Sequence, residues 1–376
     1  MVAERSGKDH AEPRDLDGLL AWLRTGRPVT RRTDFAVGTA MPGGRLDLCK
    51  QALGPRGAEL VAEALPQGGP TRHLLLGTDE LGDAGADTGA EAATASGAET
   101  LYLGCNGITA AGACRIADRL IASPGVVRGL WLKRNPLGPD GGRLVGEAVG
   151  TGLSTVDLVQ TRLDADGLAM LVDRVLSAGG IGRLYVSGNP LGPAGAEKLA
   201  RLVSADGVEE LYVSAAGLGD EGARTLAGAV RAGRLRRMSV ASNGIGSVAA
   251  AELVAAAVAA GVEMLDLGRV RSAGVLGAED NRLGDEGAAS IARALASSPH
   301  RLAHLDLGHT GIGSRGALHL LDGALRAPSP TRFTLSGGIA SRVKRELGRL
   351  AAVVPDLRPH PEVVAVRSVH RTARRA

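Results

Sequence analysis

One pattern, L-x-L-x-x-x-x-L-G-x-x-G-A-x-x-L-A with variation, recurs along nearly the whole chain and constrains its fold more than any other feature. Its first apolar position falls at Leu46, Leu74, Leu101, Leu130, Val156, Leu184, Leu211, Met238, Leu265, Leu305 and Phe333. Nine of the ten successive spacings lie between 26 and 29 residues, and the exception is 40. A unit of that length holds one strand and one helix and cannot close a core alone. Its apolar faces are buried only by stacking on neighbours.

Each unit divides into two periods. L-x-L alternates with period two, so the two leucines point one way and the residue between them points the other. A turn follows, as at Asn135-Pro136, Asn189-Pro190 and Asn243-Gly244. The period then becomes helical: Ala196, Leu199, Ala200 and Val203 sit at i, i+3, i+4 and i+7, as do Ala223, Leu226, Ala227 and Val230. Strand–helix–strand crossovers between parallel strands are right-handed in almost every case. The expected fold class is therefore α/β: a right-handed solenoid, a horseshoe with its parallel β-sheet on the concave face and its helices on the convex face. With only 2% aromatic residues among 376, the core must be Leu, Val, Ile and Ala.

The units LYLGCNGITAAGACRIADRL (101–120), LWLKRNPLGPDGGRLVGEAV (130–149) and LYVSGNPLGPAGAEKLARLV (184–203) resemble the leucine-rich-repeat superfamily, specifically its ribonuclease-inhibitor-like class. The resemblance covers roughly residues 45–350. It implies protein–protein interaction on the sheet face. It also implies a regulatory alternative, a GTPase-activator-like binding protein, because Ran GTPase-activating proteins use the same repeat class.

Three stretches depart from the repeat. Residues 1–44 are expected to be an N-terminal capping segment, with the amphipathic piece Asp17–Arg24 covering the first unit. Residues 45–352 form the array of about eleven units, with an insertion at 268–282 that can project from the rim and overhang the concave face. Residues 353–376 are expected to be a C-terminal cap and basic tail; the valines of 363–369 are the candidate cover for the last repeat. The helical half of the second unit, 82–99, has no large apolar residue and is expected to be the softest.

Charge and cysteine content narrow the function. The net charge of +4 resides in the tail: residues 357–376 hold five Arg and one Glu, leaving 39 basic and 39 acidic residues elsewhere. A neutral body lacks the footprint of a nucleic-acid binder. Three Cys with no CxxC spacing exclude a disulfide framework and a zinc knuckle. No apolar run of membrane-spanning length occurs, and the first residues lack the apolar core of a signal peptide, so the expected localisation is cytoplasmic. There is no GxSxG, HExxH or GxxxxGK[ST] motif, and the GxGxxG at 217–222 is a by-product of the repeated L-G-x-x-G. No cofactor, no resident metal and no catalytic residue is expected.

The position between the two leucines reads Asp47, Leu75, Tyr102, Trp131, Asp157, Tyr185, Tyr212, Ser239, Asp266, Asp306 and Thr334. That column holds all three Tyr and one of the two Trp. Rings with a polar handle dominate binding hot spots. Tyr102, Trp131, Tyr185 and Tyr212 are expected to be exposed on the sheet, so that Trp131→Ala costs little stability. Lys133, Arg134 and Asp157 flank the rings. Asp266, His304 and Asp306 form a second polar cluster, whose alternative reading is a metal-dependent or acid–base site. Cys49 is expected to be exposed but incidental. The expected function is a non-enzymatic protein-binding scaffold, an adaptor or inhibitor, that takes a protein or peptide partner on the concave face and binds neither nucleic acid nor membrane.

Overall fold

The computed structural model describes residues 13–230, 233 and 235–367. They fall into two units, one built from residues 13–161 with 359–367, the other from residues 162–358. The basic positions Arg371, Arg374 and Arg375 of the expected tail lie outside the described residues.

Unit 1 begins with α1 (Pro13–Arg24), whose Leu16, Leu19, Leu20 and Leu23 are buried. Strands β1 (Thr33–Asp34) and β2 (Thr39–Met41) then run antiparallel into β3 (Arg45–Asp47). The expected sheet was wholly parallel. The antiparallel pair instead covers the edge that β3 would leave unpaired. The repeat follows as α2 (Gly54–Ala64), β4 (His73–Leu75), α3 (Gly82–Ser96), β5 (Thr100–Tyr102), α4 (Ala110–Ala122), β6 (Gly129–Trp131), α5 (Asp140–Val149) and β7 (Thr155–Asp157). Strands β3 to β7 are parallel, and Leu46, Leu74, Leu101, Leu130 and Val156 pair directly with one another.

Unit 2 continues with α6 (Ala165–Ser177), β8 (Ile181–Tyr185), α7 (Gly192–Ser204), β9 (Val208–Tyr212), α8 (Gly219–Val230), β10 (Arg237–Ser239) and α9 (Ser247–Ala260). Then come β11 (Met264–Asp266), α10 (Gly284–Ser297), β12 (His304–Asp306), α11 (Ser314–Arg326), β13 (Arg332–Thr334) and α12 (Ser341–Leu350). Its strands are parallel, with Leu184, Leu211, Met238, Leu265, Leu305 and Phe333 in line. The last repeat is closed by α12, whose Val343 and Leu347 pack with Ala317 and Ile339. The valines of 363–366 do not cover it. The chain's last described element, α13 (Pro361–Ala365), belongs to unit 1.

Each register is an α/β solenoid unit, and side chains in the turns lock its spacing. Asn135 Nδ2 donates to the carbonyls of Leu103 and Leu132, both at 2.9 Å, while its Oδ1 accepts from the amides of Asn106 (2.8 Å) and Ile108 (3.1 Å). Asn106 does the same toward Leu76, Leu103 and the amide of Asp79. In unit 2, Asn243 and Asn281 repeat the arrangement, and Asn189 donates to Val186 O and accepts from the Leu163 amide. These asparagines are fully buried, and each satisfies backbone groups of two consecutive turns.

The L-G-x-x-G motif has a steric origin. The first glycine has positive φ at Gly82, Gly192, Gly219 and Gly284, a backbone region that favours glycine. At the second, a Cβ on Gly141 or Gly195 would lie 2.5 Å from the Cβ of the motif's own leucine. Helix starts are capped across repeats: Asp83 Oδ1 accepts from the Thr109 amide, Asp220 Oδ1 from Gly246 and Asp285 Oδ1 from Gly313 and Gly316. The helix over 82–96 thus forms from small residues, with Ala86, Ala90 and Ala93 fully buried.

Asp79 stands in the second unit where other units have Asn. Its Oδ1 accepts from Gln51 N at 2.6 Å, but Oδ2 is buried without a hydrogen-bond partner among the described residues. Burial pushes its carboxyl up to about 8. A carboxyl with a raised folded pKa holds its proton more tightly when folded. Its contribution is complete below about pH 4 and is lost as pH rises toward 8. Asp79→Asn should remove that loss and supply the missing donor. We expect the variant to gain stability over wild type in denaturant melts at pH 8, with a smaller difference at pH 5. Parallel pH slopes in the two proteins would refute the assignment.

Candidate functional site

Alternation along each strand places positions one and three on the sheet face turned away from the repeat helices. In unit 2 that face carries a stacked pair. Tyr185 and Tyr212 are register partners on β8 and β9, with ring centroids 4.3 Å apart and an interplanar angle of 4°. Tyr212 Oη donates to Glu210 Oε2 at 2.9 Å, and Arg237 lies 3.7 Å from the other oxygen of Glu210. Both rings are half-buried, and burial raises both phenols. The tyrosines therefore remain neutral donors at any physiological pH. A hydroxyl relay continues along the face: Ser239 Oγ donates to Asp266 Oδ2 at 2.7 Å, so the 2.7 Å contact with Ser214 Oγ has Ser214 as donor.

The aspartates of the column are tied to their own backbone. Oδ1 of Asp47, Asp157, Asp266 and Asp306 accepts from the amide two residues on, at Cys49, Val159, Gly268 and Gly308. This repeated cap turns the chain out of the strand. Asp266 and Asp306 are register partners. His304, half-buried, donates instead to the backbone carbonyl of Pro355, and desolvation lowers its pKa. The cluster expected at Asp266, His304 and Asp306 is thus brought to one face, but its groups serve separate contacts. Among the described residues no group of three or more His, Cys, Asp or Glu is placed to hold a metal ion.

The same face of unit 1 is more closed. Tyr102 lies flat across the neighbouring repeat: a Cβ on Gly77 would come within 2.2 Å of its ring, so only glycine fits there. Lys133 Nζ sits 5.3 Å above that ring, and Arg134, exposed, donates to Gln160 Oε1 at 3.1 Å. The indole of Trp131 turns the other way, toward the strand starts. Its Nε1 and Glu362 Oε2 lie 3.2 and 3.7 Å from where a Gly129 Cβ would be. Glu362, in α13, accepts from Ser154 Oγ at 2.9 Å and Thr155 Oγ1 at 2.5 Å. At the other end of that helix Arg45 Nη1 donates to the carbonyls of Val364, Ala365 and Arg367 at 3.3, 3.4 and 2.9 Å.

Residues 183–200 match the family model described as Leucine Rich repeat. A chain of the crystal structure of the Rad7 and Elc1 complex in yeast is similar over 90% of this chain and 81% of that one, with a TM-score of 0.54 and 13% identity. The chain carries a leucine-rich repeat and has the solenoid fold such repeats build. Among curated proteins, none matches the sequence.

In this fold the column is more buried than the sequence suggests. Trp131 retains 4% exposure, and Tyr102, Tyr185 and Tyr212 are half-buried rather than open. Two causes operate. Strands spaced about 4.8 Å apart press neighbouring rings together, and in unit 1 the segment carrying Glu362 lies beside the indole. Asp157 is 4% exposed, and burial pushes its carboxyl up to about 6. Cys49 is also buried; it accepts from the Gly77 amide at 3.3 Å, and desolvation raises its thiol far above the reactive range. The 268–282 insertion leans on the turns after β8, β9 and β10, where Glu279 O accepts from Gly244 N. It bounds an open cleft of about 480 Å³ with Asn189, Ala216 and Gly217.

Sequence reasoning missed two things. The asparagines were visible at a fixed offset after the strand but read as turn formers. Ser154, Thr155 and Arg45 carried no local signal, since their partners are 207 to 322 residues away. The burial of Trp131 makes truncation costly. Trp131→Ala should destabilise the fold by about 3–5 kcal/mol, the range for removing a buried ring. A denaturant midpoint unchanged from wild type would mean that the indole is exposed in solution.

Proposed function

We propose that the chain is a non-enzymatic protein-binding scaffold, an adaptor or inhibitor, working through the concave sheet face. One observation carries the reading: the Tyr185–Tyr212 stack, half-exposed on unit 2 with Arg183, Glu210 and Arg237 beside it. Stacked tyrosines offer a rigid apolar surface whose ordering cost is met in the fold itself, and tyrosine is enriched among binding hot spots. Charges of both signs around the stack suit a protein or peptide and not a polyanion. The similar solved chain comes from a crystal structure of two proteins in complex, which supports the same class of role.

The remaining column residues divide by what they touch. Tyr102, Lys133 and Arg134 supply the accessible part of the unit 1 face. Asp157, Asp266 and Asp306 hold strand ends and shape the surface around the rings. His304 and Trp131 stand where the chain's C-terminal run crosses the strand starts. None of these arrangements requires a cofactor, and binding at them needs no chemistry beyond burial, stacking and hydrogen bonding.

The test uses the immobilised full chain, first to capture and identify a partner, then to measure its affinity for wild type, Tyr185→Ala and Tyr212→Ala. Each substitution should weaken binding by about 2 kcal/mol, the size of a hot-spot loss, while the protein stays folded. A partner that binds both variants as tightly as wild type would overturn the reading.

A further inference from the structure

The C-terminal run of unit 1 does something the repeat does not need. Residues 359–367 contain one short helix, α13 (Pro361–Ala365), held at the starts of β3 and β7 beside the surface a partner would use. Its hold is specific. Glu362 brings a carboxylate to two hydroxyls, Ser154 and Thr155, at the start of β7. Arg45, the first residue of β3, takes the carbonyls of Val364, Ala365 and Arg367 at the helix end. Between these anchors only Ala365 is buried, at 9%, and Pro361 and Val364 face outward. Both anchors are polar and both are made by side chains, and the segment itself buries little beyond Ala365, with Val363 and Val366 half-buried. Segments of this kind open at low free-energy cost.

We propose that the helix-distal face of unit 1 is a docking groove for a short helical peptide with a carboxylate in its first turn. Residues 359–367 occupy it as a built-in ligand that a protein partner of the same chemistry displaces. The inference rests on the scaffold reading above and names the partner's chemistry: a first-turn Glu or Asp for Ser154 and Thr155, a small residue toward the sheet, and an open helix end for Arg45. A tethered segment acts at a roughly millimolar effective concentration, so a free peptide binds the intact protein weakly until the tether's anchor is removed. Trp131 reports the exchange, because its indole nitrogen and Glu362 flank the same point above Gly129.

The experiment uses the full chain with Trp22→Phe, which leaves Trp131 as its one indole. Adding Glu362→Ala should release the helix, moving Trp131 emission to the red and raising its quenching by acrylamide about twofold or more. Thr155→Val removes the same contact from the sheet side and should produce the same change. A synthetic peptide of residues 357–367 should reverse the shift in the Glu362→Ala protein, bind the unreleased protein at least tenfold more weakly, and fail when its own Glu is replaced by Ala. Emission unchanged by both substitutions, or a shift reversed equally by either peptide, would overturn the proposal. No partner enters this assay, so its failure is distinguishable from failure of the tyrosine-stack test.

Discussion

The structure depends on buried asparagines that bridge consecutive turns. A strand of three residues makes few ladder hydrogen bonds, and the turn after it would leave backbone amides and carbonyls buried without water. Each such orphan costs on the order of 1–3 kcal/mol. Asn106, Asn135, Asn243 and Asn281 each satisfy several of them at once, in two adjacent repeats. The repeat spacing, the alignment of the central leucines and the outward direction of the intervening residues all follow. Even the long insertion obeys: Asn281 still donates to Leu267 O, so the added residues loop out and the register resumes at β12.

Most of the fold was legible in the sequence because it is written many times. All eleven central apolar positions lie in strands, ten of them fully buried, since the pattern that marks them is the one that buries them. The antiparallel start was not legible. Strands β1 and β2 are two and three residues long and exist to cover an edge, which leaves no periodicity to read. The glycines of L-G-x-x-G were visible but unexplained until their neighbours were known. One supplies positive φ, and the other admits a leucine at a distance no Cβ tolerates.

The site was legible by column but not by depth. Alternation correctly put Tyr102, Trp131, Tyr185 and Tyr212 on one face of their strands, yet it cannot tell how far neighbours shield them. Trp131 shows the difference: its environment is set partly by Glu362, more than two hundred residues later. Asp157, Asp266 and Asp306 read as ligands for a partner because their caps on Val159, Gly268 and Gly308 are local geometry that composition does not reveal.

Two surfaces of one repeat type differ in access. In unit 2 the tyrosine stack is accessible; in unit 1 the indole is closed beneath the chain's own C-terminal helix. Hydroxyl-radical footprinting of the full chain tests this most directly, because it reads side-chain access residue by residue in solution. After correction for intrinsic reactivity, Tyr185 and Tyr212 should be modified several-fold faster than Trp131. Modification of Trp131 as fast as the two tyrosines would contradict the account.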